Sequence, residues 1–484
     1  MQTSSVSELL AGLDARLIAG DEVAVSGVAY RSDQVRAGDV FFCVPGFAHD
    51  GHEFAADAVS RGAVALVVNR ELPEINAAQY LVGDVRVALA MASARVNAEP
   101  AKSVRVAGIT GTNGKTTTTY MLDAIAREAG HRTGIIGTVE TKIGDESVVA
   151  GRTTPESADL QALLGRMRDD GVAVCSMEVS SHAIDLKRVH GIEFAVVAFT
   201  NLTQDHLDYH HTLEEYYSVK RRLFTEHVTG ARVVNIDDEL GAELAQCCDG
   251  VLTVGQGTEA RLRAVDVSLR ADGATFALLF DGQRSVVELP FAGSYNVSNA
   301  LVAAGCALCL GIDLETVARG LANSPQVPGR LERIQCGQPF QVVVDYAHTP
   351  DSLEKATTAI CAVTPGRTIV VFGCGGDRDP EKRPLMGAAA ARCADHVFVT
   401  SDNPRSEDPA AIILQIEDGL RATSTPYDVE VDRRRAIEAA INMAGPGDAV
   451  LIAGKGHEDY QIFADRTVHF DDREVAREVL QGRC

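Results

Sequence analysis

Tryptophan is absent from this 484-residue chain and aromatic residues make up only 5% of it. With 46% apolar residues there is still ample material for buried cores. No apolar run approaches the roughly 20 residues that cross a bilayer. The opening stretch, MQTSSVSELLAGLDARL, lacks a basic start, a long apolar run and a small-residue cleavage site, so no signal peptide is expected. There is no repeat of 20–50 residues, no low-complexity tract and no heptad pattern. Cysteine is not scarce, but the eleven are scattered, Cys247-Cys248 is the only adjacent pair, and no spacing suits zinc. Reduced thiols in a cytoplasmic protein are the expectation. The formal charge of -22 excludes a general nucleic-acid binder, which needs a basic face to displace counterions. It does not exclude anionic substrates, because local basic groups and helix N-termini hold phosphates on acidic proteins. A monomer is expected.

A chain this long exceeds one ordinary core. Residues 1–103 carry short strand-like runs at Asp39–Val44 and Ala63–Val68, and the polar stretch Asn97–Ser103, with Pro100, reads as a linker. From Val104 on, apolar β-rich runs alternate with helical segments: Val104–Ile109, Val172–Met177, Ala195–Phe199 and Arg232–Ile236. Such runs indicate a parallel sheet buried on both faces. Pro325, Pro328 and Gly329 interrupt the pattern, which resumes at Val342–Val344, Ile369–Phe372, Val397–Thr400 and Ala449–Ile452. The expected fold is therefore α/β with three domains. These are a small N-terminal α/β domain (1–103), a central P-loop parallel-sheet domain (104–330) and a C-terminal Rossmann-like domain (331–484).

Seven polar motifs sit where those strands end: TGTNGKTT, EVSSH and NLTQDH in the middle, then DYAHTPDS, GCGGDRD, SDNPR and AGKGHE. Open α/β sheets bind ligands outside the carboxyl ends of their strands. Gly111-Thr112-Asn113-Gly114-Lys115-Thr116-Thr117 follows a strand and opens a helix over Thr118–Glu128. Its glycines let backbone N–H groups approach phosphate, Lys115 supplies charge and Thr116 reaches a magnesium ion. The strict spacing would place a glycine at Ile109, so this is a variant loop, specific for a nucleoside triphosphate but silent on the reaction. Glu178 and His206 lie past neighbouring strand ends, where they are candidates for a second magnesium. Lys220, in an amphipathic helix, reads on its own as a solvated surface lysine.

TGTNGKTT together with TTPES (Thr153–Ser157), EVSSH (Glu178–His182), TNLTQDHLDYH (Thr200–His210), YYSVKRRLF, SYNVSNALVAAG (Ser294–Gly305), PGRLE (Pro328–Glu332) and DYAHTPDSLE (Asp345–Glu354) resembles the Mur ligases of peptidoglycan synthesis. Within that family SDNPR (Ser401–Arg405) and GKGHE (Gly454–Glu458) are similar to the members that add meso-2,6-diaminopimelate. The resemblance implies an ATP- and Mg2+-dependent ligase acting on UDP-N-acetylmuramoyl-L-alanyl-D-glutamate through an acyl phosphate. It makes Lys220 an N6-carboxylysine and a magnesium ligand beside Thr116, Glu178 and His206. Lys115, Glu178, His206 and Lys220 become the catalytic set, and Asn299, Arg330 and Asp345 complete the ATP site. Ser32, Thr153, Thr154, Ser180 and Arg188 are assigned to the UDP-linked substrate. Arg383, Asp402, Asn403, Pro404, Arg405, Gly454 and Glu458 are assigned to the diaminopimelate.

The physical reading of that last group agrees. Diaminopimelate carries a distal carboxylate that lysine lacks, Arg405 offers a planar fork for it, and Glu458 and Asp402 suit the distal ammonium. Relatives usually show Asp-Ser-Arg where this chain has Arg31-Ser32-Asp33, and Phe47-Ala48-His49 replaces a polar loop of some relatives, so only Ser32 is assigned in the N-terminal part. The rival readings are a lysine-adding or folylpolyglutamate-type ligase, a regulatory nucleotide-binding scaffold and a simple kinase.

Overall fold

The computed structural model describes residues 4–47 and 49–482. Met1–Thr3 of the opening stretch and Ala48 of the Phe47–His49 loop lie outside the described residues. Three large sheets divide the chain, each with its own pair of apolar cores, and two-stranded pairs join Ser4–Ser5 to Ala24–Val25 and Tyr460–Ile462 to Thr467–His469.

The first sheet orders its strands Arg16–Ala19, Ala78–Leu81, Ala65–Val68, Asp39–Phe42 and Gly27–Ala29. All pair in parallel except the edge strand Arg16–Ala19. Asp39–Phe42 and Ala65–Val68 are buried at every position, as expected for strands covered on both faces. The polar stretch after this sheet is not extended. Ala98 and Glu99 take positive φ and a 3-10 turn follows at Pro100–Lys102.

The central sheet has eleven strands. Seven consecutive ones are parallel: Thr133–Ile136, Val174–Glu178, Arg105–Thr110, Phe194–Phe199, Val228–Asn235, Val251–Gly255 and Leu262–Arg270. Antiparallel strands extend it at both edges, with Glu140–Ile143 and Glu146–Val149 at one and Gly273–Phe280 and Gln283–Leu289 at the other. The sequence reading did not include these. Glu140–Ile143 alternates buried with half-buried residues, Glu146–Val149 is exposed throughout and Gln283–Leu289 mostly so. These three therefore lack the continuous apolar runs that mark the parallel core, whereas Gly273–Phe280 is mostly buried. Helix Ser294–Cys309 is apolar nearly all round (Asn299–Ala307 is fully buried), which is what a helix enclosed by protein requires. It packs beside Lys115–Glu128 in the larger core.

The third sheet runs Glu332–Arg333, Gln341–Asp345, Ala449–Ala453, Thr368–Phe372, His396–Val399 and Tyr427–Val429. It is parallel apart from its first strand. In both larger sheets the polar motifs follow the strand ends, so one rim of each carries the chemistry. No helix among the described residues is long and apolar enough to cross a membrane.

Candidate functional site

The phosphate loop begins where strand Arg105–Thr110 ends, and helix Lys115–Glu128 starts at Lys115 itself, a turn earlier than expected. Gly114 makes this possible: its φ is +88°, and a Cβ there would stand 2.1 Å from Asn299 Oδ1. Only glycine meets both conditions without strain. Lys115 Nζ donates to the carbonyls of Gly111 (2.9 Å) and Thr112 (2.8 Å). Lys220 Nζ donates to the same Gly111 carbonyl at 2.9 Å and lies over the Tyr216 ring. Two ammonium groups thus converge on one oxygen, and among the described residues neither forms an ion pair. Lys220 is no solvated surface group; it is 1% exposed. Burial, with the Lys115 charge, pushes its amine well below an ordinary lysine.

Glu178, buried at the end of its strand, accepts from Thr116 Oγ1 (3.1 Å), Thr138 Oγ1 (3.0 Å) and Thr138 N (2.8 Å). His206 sits at φ +52°, its ring 42% exposed beside Asp205. Leu331 (φ +43°), Asp377 (φ +52°) and Arg405 (φ +51°) are also non-glycine residues in the left-handed region. Such conformations cost about 1–3 kcal/mol each and persist where the surroundings over-determine them.

A cavity of about 270 Å³ is lined by Thr112–Thr117, Thr153, Glu178, Ser180, His206, Lys220, Asn299, Arg330 and Asp345, with Tyr346 and His348. The structure therefore brings nearly the whole expected nucleotide set together across two sheets. Arg330 Nη2 donates to Thr116 Oγ1 at 3.2 Å and its guanidinium stacks on Tyr346. Asp345 accepts from Leu331 N and Ala347 N, and burial raises its carboxyl above the usual range against the pull of Arg330. Sequence reasoning missed Asp351, whose Oδ2 accepts from Asn113 Nδ2 and Thr203 Oγ1, both at 3.1 Å. It lies within DYAHTPDS, and only the assembled sheets reveal which loop it faces.

The amino-acid group lies outside that cavity, on the next loops of the third sheet. Asn403 Nδ2 donates to Glu458 Oε2 at 2.9 Å, and Arg405 Nη1 donates to the Gly376 carbonyl at 2.7 Å. Pro404 and Arg405 are held by the segment Tyr460–Phe463, through Arg405 N to Ile462 O at 3.0 Å. Asp402 lies beside Gly454: a Cβ there would stand 2.8 Å from Asp402 Oδ2. Arg383 joins this group through Glu407, whose N donates to the Pro404 carbonyl at 3.1 Å. It is 1% exposed and binds both oxygens of Glu407 (2.9 and 2.8 Å) and Gln415 Oε1 (2.8 Å). The cavity and this group meet at Gly329, where a Cβ would stand 2.1–2.6 Å from the backbone of Gly456 and His457.

The substrate group forms a third cluster. Thr154 Oγ1 donates to the Glu178 carbonyl at 2.9 Å and accepts from Ser180 N, while Arg188 Nη1 donates to Thr154 O at 3.2 Å. Arg188 also meets buried Glu156 (3.4 Å), which Arg86 of the first sheet's helix reaches at 3.4 Å. Ser32 is more remote, beside Asp57. Its reversed neighbours, Arg31 and Asp33, bind each other through two hydrogen bonds.

Family models described as Mur ligase middle domain, Mur ligase glutamate ligase domain and Mur ligase family catalytic domain match residues 109–307, 329–456 and 24–97. The chain belongs to the Mur ligase family. Two relatives are UDP-N-acetylmuramoyl-L-alanyl-D-glutamate–2,6-diaminopimelate ligases. The one from Geobacillus kaustophilus is 45% identical over 93% of this chain and 94% of its own. The one from Solibacter usitatus is 47% identical over 95% and 94%. A solved structure of an enzyme of the same name superposes with TM-score 0.72 and 32% identity, covering 100% of this chain and 99% of that one. The three matched ranges of this Mur ligase fall in turn on its second, third and first sheets.

Proposed function

We propose that this Mur ligase joins meso-2,6-diaminopimelate to the D-glutamate γ-carboxylate of UDP-N-acetylmuramoyl-L-alanyl-D-glutamate, consuming ATP, in the cytoplasm. The observation that carries this reading is the backbone junction at Gly329 and Gly456. It ties a triphosphate-type cavity to a loop group containing Arg405, Asp402 and Glu458. Full-length likeness to ligases of that name supports the choice of substrates.

The donor set fits magnesium. Thr116 Oγ1 and the Glu178 carboxylate are hard oxygens within 3.1 Å of each other in a buried setting, and Mg2+ favours such ligands. Thr116, Glu178 and a carbamylated Lys220 would hold it, with His206 contributing directly or through water. When bound, the ion supplies charge neutralisation at the phosphates. Carbamylation answers an electrostatic problem. An amine depressed by burial and by Lys115 is available to react with carbon dioxide, and the product replaces one of two crowded cations with an anion.

Lys115 and the phosphate-loop N–H groups orient the ATP, with Asn299 at the base and Arg330 and Asp345 closing over phosphate or ribose. Ser32, Thr153, Thr154, Ser180 and Arg188 place the UDP-linked dipeptide so that its γ-carboxylate oxygen attacks the terminal phosphorus. ADP departs and an acyl phosphate remains. The diaminopimelate amine, oriented by Arg405, Asp402, Asn403 and Glu458, attacks the acyl carbon. The C–N bond forms, inorganic phosphate leaves and the amine loses a proton. Alignment of such partners is worth about 7–11 kcal/mol at best. Arg383 is assigned to the diaminopimelate with those loop residues, and it is held by Glu407, whose Oε1 accepts from Asp377 N.

The test is stoichiometry. ADP and inorganic phosphate are expected one to one with ligated product, and only when all three substrates are present. A phosphorylated product without free phosphate would mean a kinase, and binding without turnover a scaffold.

A further inference from the structure

Lys455 is not among the groups assigned to substrate, yet it is 0% exposed inside the amino-acid loop. Its Nζ donates to Asn403 Oδ1 at 3.2 Å and to Glu458 Oε2 at 3.4 Å, and it lies 5.5 Å from the Tyr460 ring centroid. A fully buried ammonium is costly unless paired and hydrogen-bonded, and here its partners are two residues that the proposed function assigns to the incoming amino acid. We infer that Lys455 is a positioning and specificity-determining residue that fixes Asn403 and Glu458 and tunes the pocket to a zwitterionic head group.

The charges around the pocket carry the argument. Arg433 and Asp472 are both 0% exposed and compensate each other at 2.6 Å. Lys455 compensates Glu458. Arg405 and Asp402 remain, with no ion-pair partner among the described residues. Among the loop residues assigned to the amino acid, that leaves one cation and one anion to complement a head carrying one carboxylate and one ammonium, as at the distal end of diaminopimelate, with Asp377 set to the side of Arg405 and bound to Ser406. A lysine side chain brings only the ammonium and leaves Arg405 unanswered. Without Lys455 the remainder would be two anions and one cation, a balance that suits a plain ammonium better. Asn403, whose Oδ1 also accepts from Ile462 N at 3.0 Å, would lose one of the two donors that hold its amide.

This inference rests on the proposed function, so the experiment runs the unaltered chain beside its variants. Ligation is followed with meso-diaminopimelate and with L-lysine, and the ratio of their kcat/KM values is the readout. Lys455→Met is expected to lower that ratio about tenfold or more while leaving KM for ATP unchanged. Lys455→Arg, which keeps the charge, should keep the ratio. The double variant Lys455→Met/Glu458→Gln, which restores the balance, should recover the ratio though not the affinity, and it serves if the single variant fails to fold. Equal losses on both diamino acids would reduce Lys455 to a structural residue and overturn the inference alone. An unaltered chain showing no preference would overturn the functional reading and this inference with it.

Discussion

The nucleotide cavity and the amino-acid loop lie on neighbouring rims, yet they handle charge in opposite ways. In the cavity two lysines crowd one carbonyl and, among the described residues, neither forms an ion pair with a carboxylate. In the loop, Arg433 and Lys455 already have acidic partners within the chain. A buried ammonium without an ion-pair partner attracts a polyanion whatever else it carries. A nearly compensated pocket is sensitive to the pattern of charge on its guest. The first side accordingly supplies driving force and the second supplies choice, and substitutions should separate the two.

The largest effect is expected at Lys115. Lys115→Ala removes the charge and donors aimed at the phosphates and should lower kcat about 10²–10³-fold, equally with either diamino acid. A change in the diamino-acid ratio instead would blur the division between the rims. Lys220→Ala should come close behind, with activity partly restored by short carboxylic acids that replace the carbamate. The carbamate should appear in the unaltered chain as a mass increment that falls at low carbon dioxide. Unchanged activity in Lys220→Ala would end the carbamate assignment.

On the other rim Arg405→Ala should cost about 10- to 150-fold in kcat/KM for diaminopimelate, the range of a charge-assisted hydrogen bond. KM for ATP should stay where it was. The smallest effect belongs to the bond between the rims. Asp351→Ala loses the hydrogen bonds from Asn113 and Thr203, and a net contribution of about 1 kcal/mol corresponds to a roughly fivefold rise in KM for ATP. If Asp351→Ala instead matches Lys115→Ala, the contact is part of the chemistry and not a latch.

The same contrast governs what the sequence disclosed. Parallel strands such as Val174–Glu178 and Ala449–Ala453 are continuous apolar runs ending in polar motifs, so strand, rim and candidate residues were all legible. Antiparallel Glu146–Val149 is exposed at all four positions and offers no such run. Lys220 reads as a surface lysine because its helix is amphipathic, and only the resemblance brought it inward; its burial comes from packing that no local pattern encodes. Arg383 is assigned to the diaminopimelate through the resemblance alone; its contacts to Glu407 and Gln415, partners 24 and 32 residues away, are not legible in the sequence. Asp351 and Lys455 were in plain view inside recognised motifs. Their neighbours, Asn113 and Asn403, come from other loops.

The most direct measurement is the mass of the product formed by the unaltered chain from ATP, UDP-N-acetylmuramoyl-L-alanyl-D-glutamate and equal amounts of meso-diaminopimelate and L-lysine. A product carrying diaminopimelate almost alone is the predicted result. A product carrying lysine, or both in similar amounts, would contradict the claim that Arg405 and its paired surroundings select a zwitterionic head.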